Sequence, residues 1–253
     1  MRYASLRNGL VAAICPSINH NGRTLPDLSG YNNHCALQNN SDPYRSWHHG
    51  VAASHDGTDD FGELFDNPSL NFGTEDFTIT GWFLLRNVAA ATSAFASENN
   101  PGAGNPQWWF RQENTSGAVR FLTADSVGET SITSSNGVVA SNEWFFLCGR
   151  RSDTTLTIYK NGIAIASTTG TVRNVTANQS IFIGRFNTIY LNGLWDDFRA
   201  YRRALTESEI SLLGTEPGIG LRPERTCVFF GAQLFNAAWA RNSNVILSPV
   251  GAV

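Results

Sequence analysis

The 253-residue chain is 42% hydrophobic and only 15% charged, enough apolar material to fill a sizeable core and long enough for one all-β sandwich or barrel. Its formal net charge is −3 and Lys160 is its single lysine, so no basic field exists to hold nucleic acid.

The first apolar run, Leu10 to Cys15, reads as a strand. It is short for the core of a signal peptide and far too short to span a bilayer, so synthesis in the cytosol without membrane insertion is expected. The sequons at 114–116, 174–176 and 178–180 then read as chance matches. Cys15, Cys35, Cys148 and Cys227 form no CxxC pair and sit among apolar or small residues, which favours buried, reduced thiols.

The dominant period along the chain is two. DFTITGWFLL (76–85), AVRFLTA (118–124), EWFFLCGRR (143–151), TLTIYKNGIAIAS (155–167) and SIFIGRF (180–186) are rich in aromatic and β-branched residues, which points to antiparallel strands. Asn161-Gly162 supplies the two positive-φ positions of a type I′ turn, so 155–160 and 163–167 should form a tight hairpin. One helix is announced, near 206–213: Thr206 and Glu209 have capping-box spacing, Ile210 and Leu213 share a face, and Gly214 can end it. The Asn-, Ser- and Gly-rich stretches 16–50, 87–107 and 125–142 read as loops.

Five motifs follow one another in a recognisable order: DLSGYNNHCAL (27–37), HDGTDDFGELFDNPSLNF (55–72), DFTITGWFLL, LTIYKNGIAIAS (156–167) and GLWDDFRAYRRALTESEI (193–210). In that order they resemble laminin G-like, concanavalin A-like jelly-roll domains over roughly residues 9–214. The resemblance implies an all-β, antiparallel two-sheet sandwich with one short helix: a jelly roll over 1–214 and a C-terminal extension over 215–253. Cys35 stands where the family usually has glycine, so the backbone there need not adopt a glycine-only conformation. His55 stands where it usually has phenylalanine, a polar ring in an apolar place. Similar domains often hold a structural Ca²⁺ between the N-terminal loop and the closing strand. Asp27, Asn33 and one of Asp196 and Asp197 are the matching oxygen donors, against a reading in which they serve as turn and capping residues.

Catalytic patterns are absent. The alternating E-x-D-x-E strand of related glycosidases does not occur, and Asp59-Asp60, Glu75-Asp76 and Asp196-Asp197 are adjacent pairs whose members should face opposite ways if extended. The His48-His49 pair sits in a loop, His20, His34 and His55 are scattered, and neither HExxH nor GxSxG occurs. The expectation is therefore a non-catalytic protein. For sugar contact the candidates are Trp108, Trp109, Arg111 and Asn105: of the adjacent tryptophans one should enter the core and the other face outward, unless loops or a partner cover both.

The extension holds Phe229, Phe230, Phe235, Trp239 and Arg241, an aromatic-rich set suited to assembly contacts. Its segment AAWARNSNVIL (237–247) resembles the close of laminin G-like proteins encoded by tailed bacteriophages. That resemblance implies a virion-surface location, capsid or tail proteins as partners and a homo-oligomer. The competing readings are a soluble, calcium-dependent carbohydrate-binding module that recognises surface glycans, and a glycan-active enzyme.

Overall fold

The computed structural model describes residues 3–89, 93–99, 105–113 and 115–221. In the first part of the chain lie β1 (Leu10–Ile14), β2 (Thr24–Leu25), β3 (Cys35–Gln38), β4 (Tyr44–Trp47), β5 (Gly50–Asp56) and β6 (Phe61–Leu64). There follow β7 (Phe77–Leu85), β8 (Ala94–Asn99), β9 (Gln107–Gln112), β10 (Val119–Asp125), β11 (Gly128–Thr133) and β12 (Trp144–Ser152). The last part holds β13 (Thr155–Lys160), β14 (Ile163–Thr169), β15 (Ile181–Ile183), β16 (Arg185–Phe186), β17 (Ile189–Tyr190), β18 (Asn192–Tyr201) and α1 (Glu207–Leu213).

Two antiparallel sheets make the sandwich, as the alternating runs predict. Sheet A runs β14-β13-β12-β7-β18-β5-β4, with β1 also on β18; sheet B runs β11-β10-β9-β8-β15-β6-β3-β2. Between them lies a core of Phe77, Phe83, Phe95, Trp108, Phe110, Phe121, Trp195 and their aliphatic neighbours. A second cluster on the outer side of sheet A joins Leu10, Cys15, Tyr201 and Cys148 to Leu6, to α1 through Ile210 and Leu213, and to Ile219 and Leu221. The β16–β17 hairpin covers sheet B from outside, setting Phe186 on Trp109 and Leu122.

The local signals hold where they are strongest. Asn161 (φ 49°) and Gly162 (φ 81°) make the β13–β14 turn, and the Asn161 side chain also accepts the Phe146 N–H at 2.9 Å. Thr206 and Glu209 close the capping box of α1. The three stretches read as loops are corrected: 16–50 contains β2, β3 and β4, 87–107 contains β8, and 125–142 contains β11. These strands are short, or mix small and polar residues, so their pairing comes from neighbours across the sheet rather than from their own alternation. The run 180–186 breaks at Gly184 (φ 83°), where a Cβ would meet His55 Nδ1 at 2.4 Å.

The Asn161-Gly162 turn abuts α1 so closely that a Cβ on Gly162 would lie 2.7 Å from Ser211 Cα. Gly162→Ala should therefore cost about 1–3 kcal/mol through positive-φ strain and this clash, read as a lower urea midpoint at unchanged slope.

Candidate functional site

The Asp196-Asp197 pair lies where sheet A divides. β18 pairs with β5 through Asn192–Trp195 and with β1 through Phe198–Tyr201, and its register against β7 shifts between Asp196 and Arg199. Asp197 sits there at φ 49°, one extra residue in the strand. Trp195 and Phe198 both enter the inter-sheet core, so the two carboxylates between them share the outer side. The expectation that adjacent acids face opposite ways fails here because a bulge breaks the period-two alternation.

The two acids have different partners. Asp197 takes two bonds from Arg199, at 2.8 and 2.9 Å, and one from the Gly218 N–H at 2.8 Å, all buried. Asp196 Oδ1 accepts the N–H groups of Ser17 at 3.2 Å and Asp197 at 2.8 Å, while its buried Oδ2 has no partner among the described residues. Burial, then the charge on Asp197, pushes the Asp196 carboxyl up to about 7. The Cys15 thiol is likewise held well above its ordinary range, by burial first and by these two acids next.

Of the residues that the resemblance assigns to calcium, Asp27 and Asp197 are already engaged by protein donors. Asp27 Oδ1 accepts Ala13 N and Ser29 N at 2.8 and 2.9 Å, and Oδ2 accepts Ser29 Oγ and Asn33 N at 2.6 and 3.0 Å. The carboxylate is thus occupied by four donors, while Arg199 neutralises Asp197. Asn33 donates to the Val11 carbonyl at 2.7 Å and Ser69 Oγ at 2.8 Å, leaving a buried Oδ1. Among the described residues the acids that do cluster at ligand spacing are Asp56, Asp59 and Asp60. There Asp60 accepts the Asp56 N–H at 3.0 Å and Asp56 the Thr58 N–H at 2.7 Å, which is turn chemistry.

Trp108 and Trp109 do point to opposite sides of sheet B, but neither offers a free ring. Trp108 lies in the core and donates Nε1–H to Glu98 Oε2 at 3.0 Å. Glu98 also accepts the Ala177 N–H at 3.1 Å, and burial pushes its carboxyl up to about 8. Trp109 is only 5% exposed, beneath Phe186 and the guanidinium groups of Arg111 (4.4 Å) and Arg120 (5.1 Å). Arg111 is paired with Glu113 at 3.2 Å, and Asn105 is half-buried just before β9. The expected outward stacking face is covered because the β16–β17 hairpin and two arginines lie over it. Phe229, Phe230, Phe235, Trp239 and Arg241 fall outside the described residues.

An aromatic patch on the outer side of sheet A was not foreseen. Trp47, ending β4, stacks on Trp144, opening β12, with centroids 3.9 Å apart at 27°, and both rings are half-exposed. Trp82 of β7, opposite Asp196 in the ladder, lies 6.5 Å from Trp47. His48 and His49 flank Trp47 at 5.0 and 4.9 Å. The indole N–H groups of Trp47 and Trp82 have no partner among the described residues. With Trp82 buried behind them, the partly exposed Trp47 and Trp144 rings and the flanking imidazoles suit the apolar face and hydroxyls of a sugar.

Both departures from the family pattern find their place. His55 Nε2 accepts the Trp195 indole N–H at 3.1 Å, and burial holds the ring far below its ordinary range, at about 3. Cys35 opens β3 without positive φ, its thiol against Gly62.

Two outcomes are expected. The folded protein keeps a proton on Asp196 up to about pH 7, whereas a carboxyl near 3.8 releases it when unfolded, so stability falls as pH rises through that window. The loss is on the order of 4 kcal/mol. Asp196→Asn should remove this loss and raise the melting temperature at pH 8, and an unaltered pH profile would place the titration elsewhere. Because donors already occupy Asp27, EDTA should leave the melting curve unchanged, and Asp27→Ala should destabilise equally with or without chelator.

Solved structures similar to this chain include toxin binding domains. The binding domain of Paraclostridial Mosquitocidal Protein 1 superposes with a TM-score of 0.65 at 20% identity, over 83% of this chain and 52% of that one. The ligand binding domain of botulinum neurotoxin serotype D, in complex with N-acetylneuraminic acid, gives 0.64 at 16% identity, over 83% and 52%. Botulinum neurotoxin type C, which depends on interaction with two ganglioside molecules to enter cells, gives 0.64 at 17%, over 87% and 53%. The chain therefore spans about half the length of these structures, and at such identities the likeness is one of fold. No curated protein matches the sequence. Residues 56–211, well over half of the chain, match the concanavalin A-like lectin/glucanases superfamily in its laminin G form, and the chain belongs to that family.

Proposed function

We propose that this protein is a non-catalytic glycan-binding module that works on the surface of a virion. The observation that carries the binding half is the half-exposed Trp47–Trp144 stack, with Trp82 beside it and two imidazoles at its rim. Aromatic rings bind the apolar faces of sugars at little entropic cost, since an indole has few rotors to fix. Family membership and the sugar-associated toxin domains that share the fold support this reading.

The non-catalytic half draws support from the acids. Glycoside hydrolysis uses two carboxyls set about 5–9.5 Å apart across the scissile bond. Among the described residues three acids have raised pKa values: Asp196 and Glu98 are fully buried, and Asp60, raised chiefly by burial, accepts the Asp56 N–H within its own turn. Glu98 is bound by Trp108 and Ala177, and Asp196 sits beside an acid locked to Arg199.

The virion half rests on the phage-like close at 237–247. It is supported by the way the chain leaves the sandwich: Arg7 donates to the carbonyls of Gly220 and Leu221, and Arg199 to that of Ile219, so the extension starts from a fixed point.

Trp144→Ala should weaken binding to a glycan array at least tenfold while circular dichroism stays unchanged; retained binding would remove the patch from the site. Deleting residues from Pro223 onward, which keeps the 217–221 contacts, should leave a folded domain that no longer copurifies with particles. Full retention would remove the extension as the attachment element.

A further inference from the structure

The outer face of sheet B carries a different kind of site. Arg185 opens the β16–β17 hairpin just after the Gly184 kink, and the hairpin lays its guanidinium on a cradle of rings. The centroids of Phe61, Phe182 and Tyr190 lie 4.6, 4.8 and 6.0 Å from it. The cradle is itself braced, since Phe61 meets Phe182 edge-on at 5.5 Å and 83°.

Stacking uses the faces of the guanidinium plane, and Nε donates to the Asn187 carbonyl at 3.3 Å. The remaining edge, with Nη1 and Nη2, meets no oxygen among the described residues, and Arg185 is half-exposed. Its neighbour Glu63, opposite Phe182 in the β6–β15 ladder, is engaged by Gln38 Nε2 at 2.8 Å. Other half-buried arginines are spent internally: Arg111 and Arg120 share Glu113, Arg173 pairs with Asp125, and Arg203 pairs with Glu209.

We propose that Arg185 is the recognition residue of a site for an oxyanion group, a carboxylate or sulfate, borne by an acidic glycan or arriving as a free ion. A planar fork accepts such a group through two parallel hydrogen bonds. The rings fix the fork and keep water off its faces, which strengthens the charge at its open edge. The site lies on the opposite face of the sandwich from the Trp47–Trp144 patch and does not depend on sugar binding there.

The test is a titration of the full chain at constant ionic strength, following the arginine Nε–Hε resonances by NMR. The probes are inorganic sulfate, a glucuronate oligosaccharide and a neutral glucose oligosaccharide. Sulfate and the uronate should shift one Nε–Hε signal, absent in Arg185→Gln, and the neutral sugar should not. Arg185→Gln should weaken binding at least tenfold, Arg185→Lys should weaken it too by losing the fork, and Arg23→Gln, at an exposed arginine, should bind as wild type. Tighter binding of the uronate than of sulfate assigns the group to a glycan, and equal binding assigns the site to free oxyanions. No shift in the wild type with either anion, or undiminished binding by Arg185→Gln, overturns the proposal, and the wild-type titration stands even if the glutamine variant misfolds.

Discussion

The buried ion pair between Asp197 and Arg199 is the contact on which the rest of the sandwich turns. It sits on the bulge of β18, the strand that pairs with β1, β5 and β7, and it binds the Gly218 N–H and the Ile219 carbonyl as well. Removing one partner of such a pair leaves an uncompensated buried charge, a loss of about 3–5 kcal/mol. The bulge that places the pair also gathers Asp196, Ser17 and Cys15, so one extra residue in a strand creates the electrostatic centre of the outer face.

Arginine does much of the remaining joining. Arg151, 1% exposed, donates to the carbonyls of Glu75, Gly73 and Arg173 while stacking on Phe77 at 4.7 Å. Arg203 clasps Glu209 of α1 and the carbonyls of Ser5 and Asn8, and Arg7 holds the loop at Leu28 and the segment at Gly220. A planar fork with five donors can satisfy several loop carbonyls at once, which a lysine ammonium on a flexible stem does less well. This gives physical meaning to a chain with a single lysine.

The two outer faces of the sandwich differ in chemistry. Sheet A presents stacked indoles with imidazoles beside them, whereas on sheet B guanidinium groups lie over the rings, those of Arg111 and Arg120 paired with acids and that of Arg185 with an open edge. Neutral sugar faces suit the first and acidic groups the second. The two proposed sites thus stand on separate faces of one frame.

What the sequence determined by itself was everything that depends on near neighbours. Alternation in FTITGWFLL and WFFLCGRR marked central strands, Asn161-Gly162 marked the hairpin, and Thr206 with Glu209 marked the helix start, because turn, cap and period are written within a few residues. The order of motifs then sufficed for the family. The tertiary structure alone decided which atoms meet. β8 and β11 form because neighbouring strands supply their pairing, and Trp108 turns inward to Glu98, a carboxylate it reaches only across the β8–β9 ladder. Asp196 and Asp197 share a face because a bulge, invisible in a period-two reading, intervenes. Trp47 reaches Trp144 although β5, β18 and β7 separate their strands, a contact set by how the β4–β5 hairpin lies on the outer face. Sequence spacing carries local geometry, but which distant side chains converge depends on register and sheet curvature, and those are settled only when the whole sandwich packs.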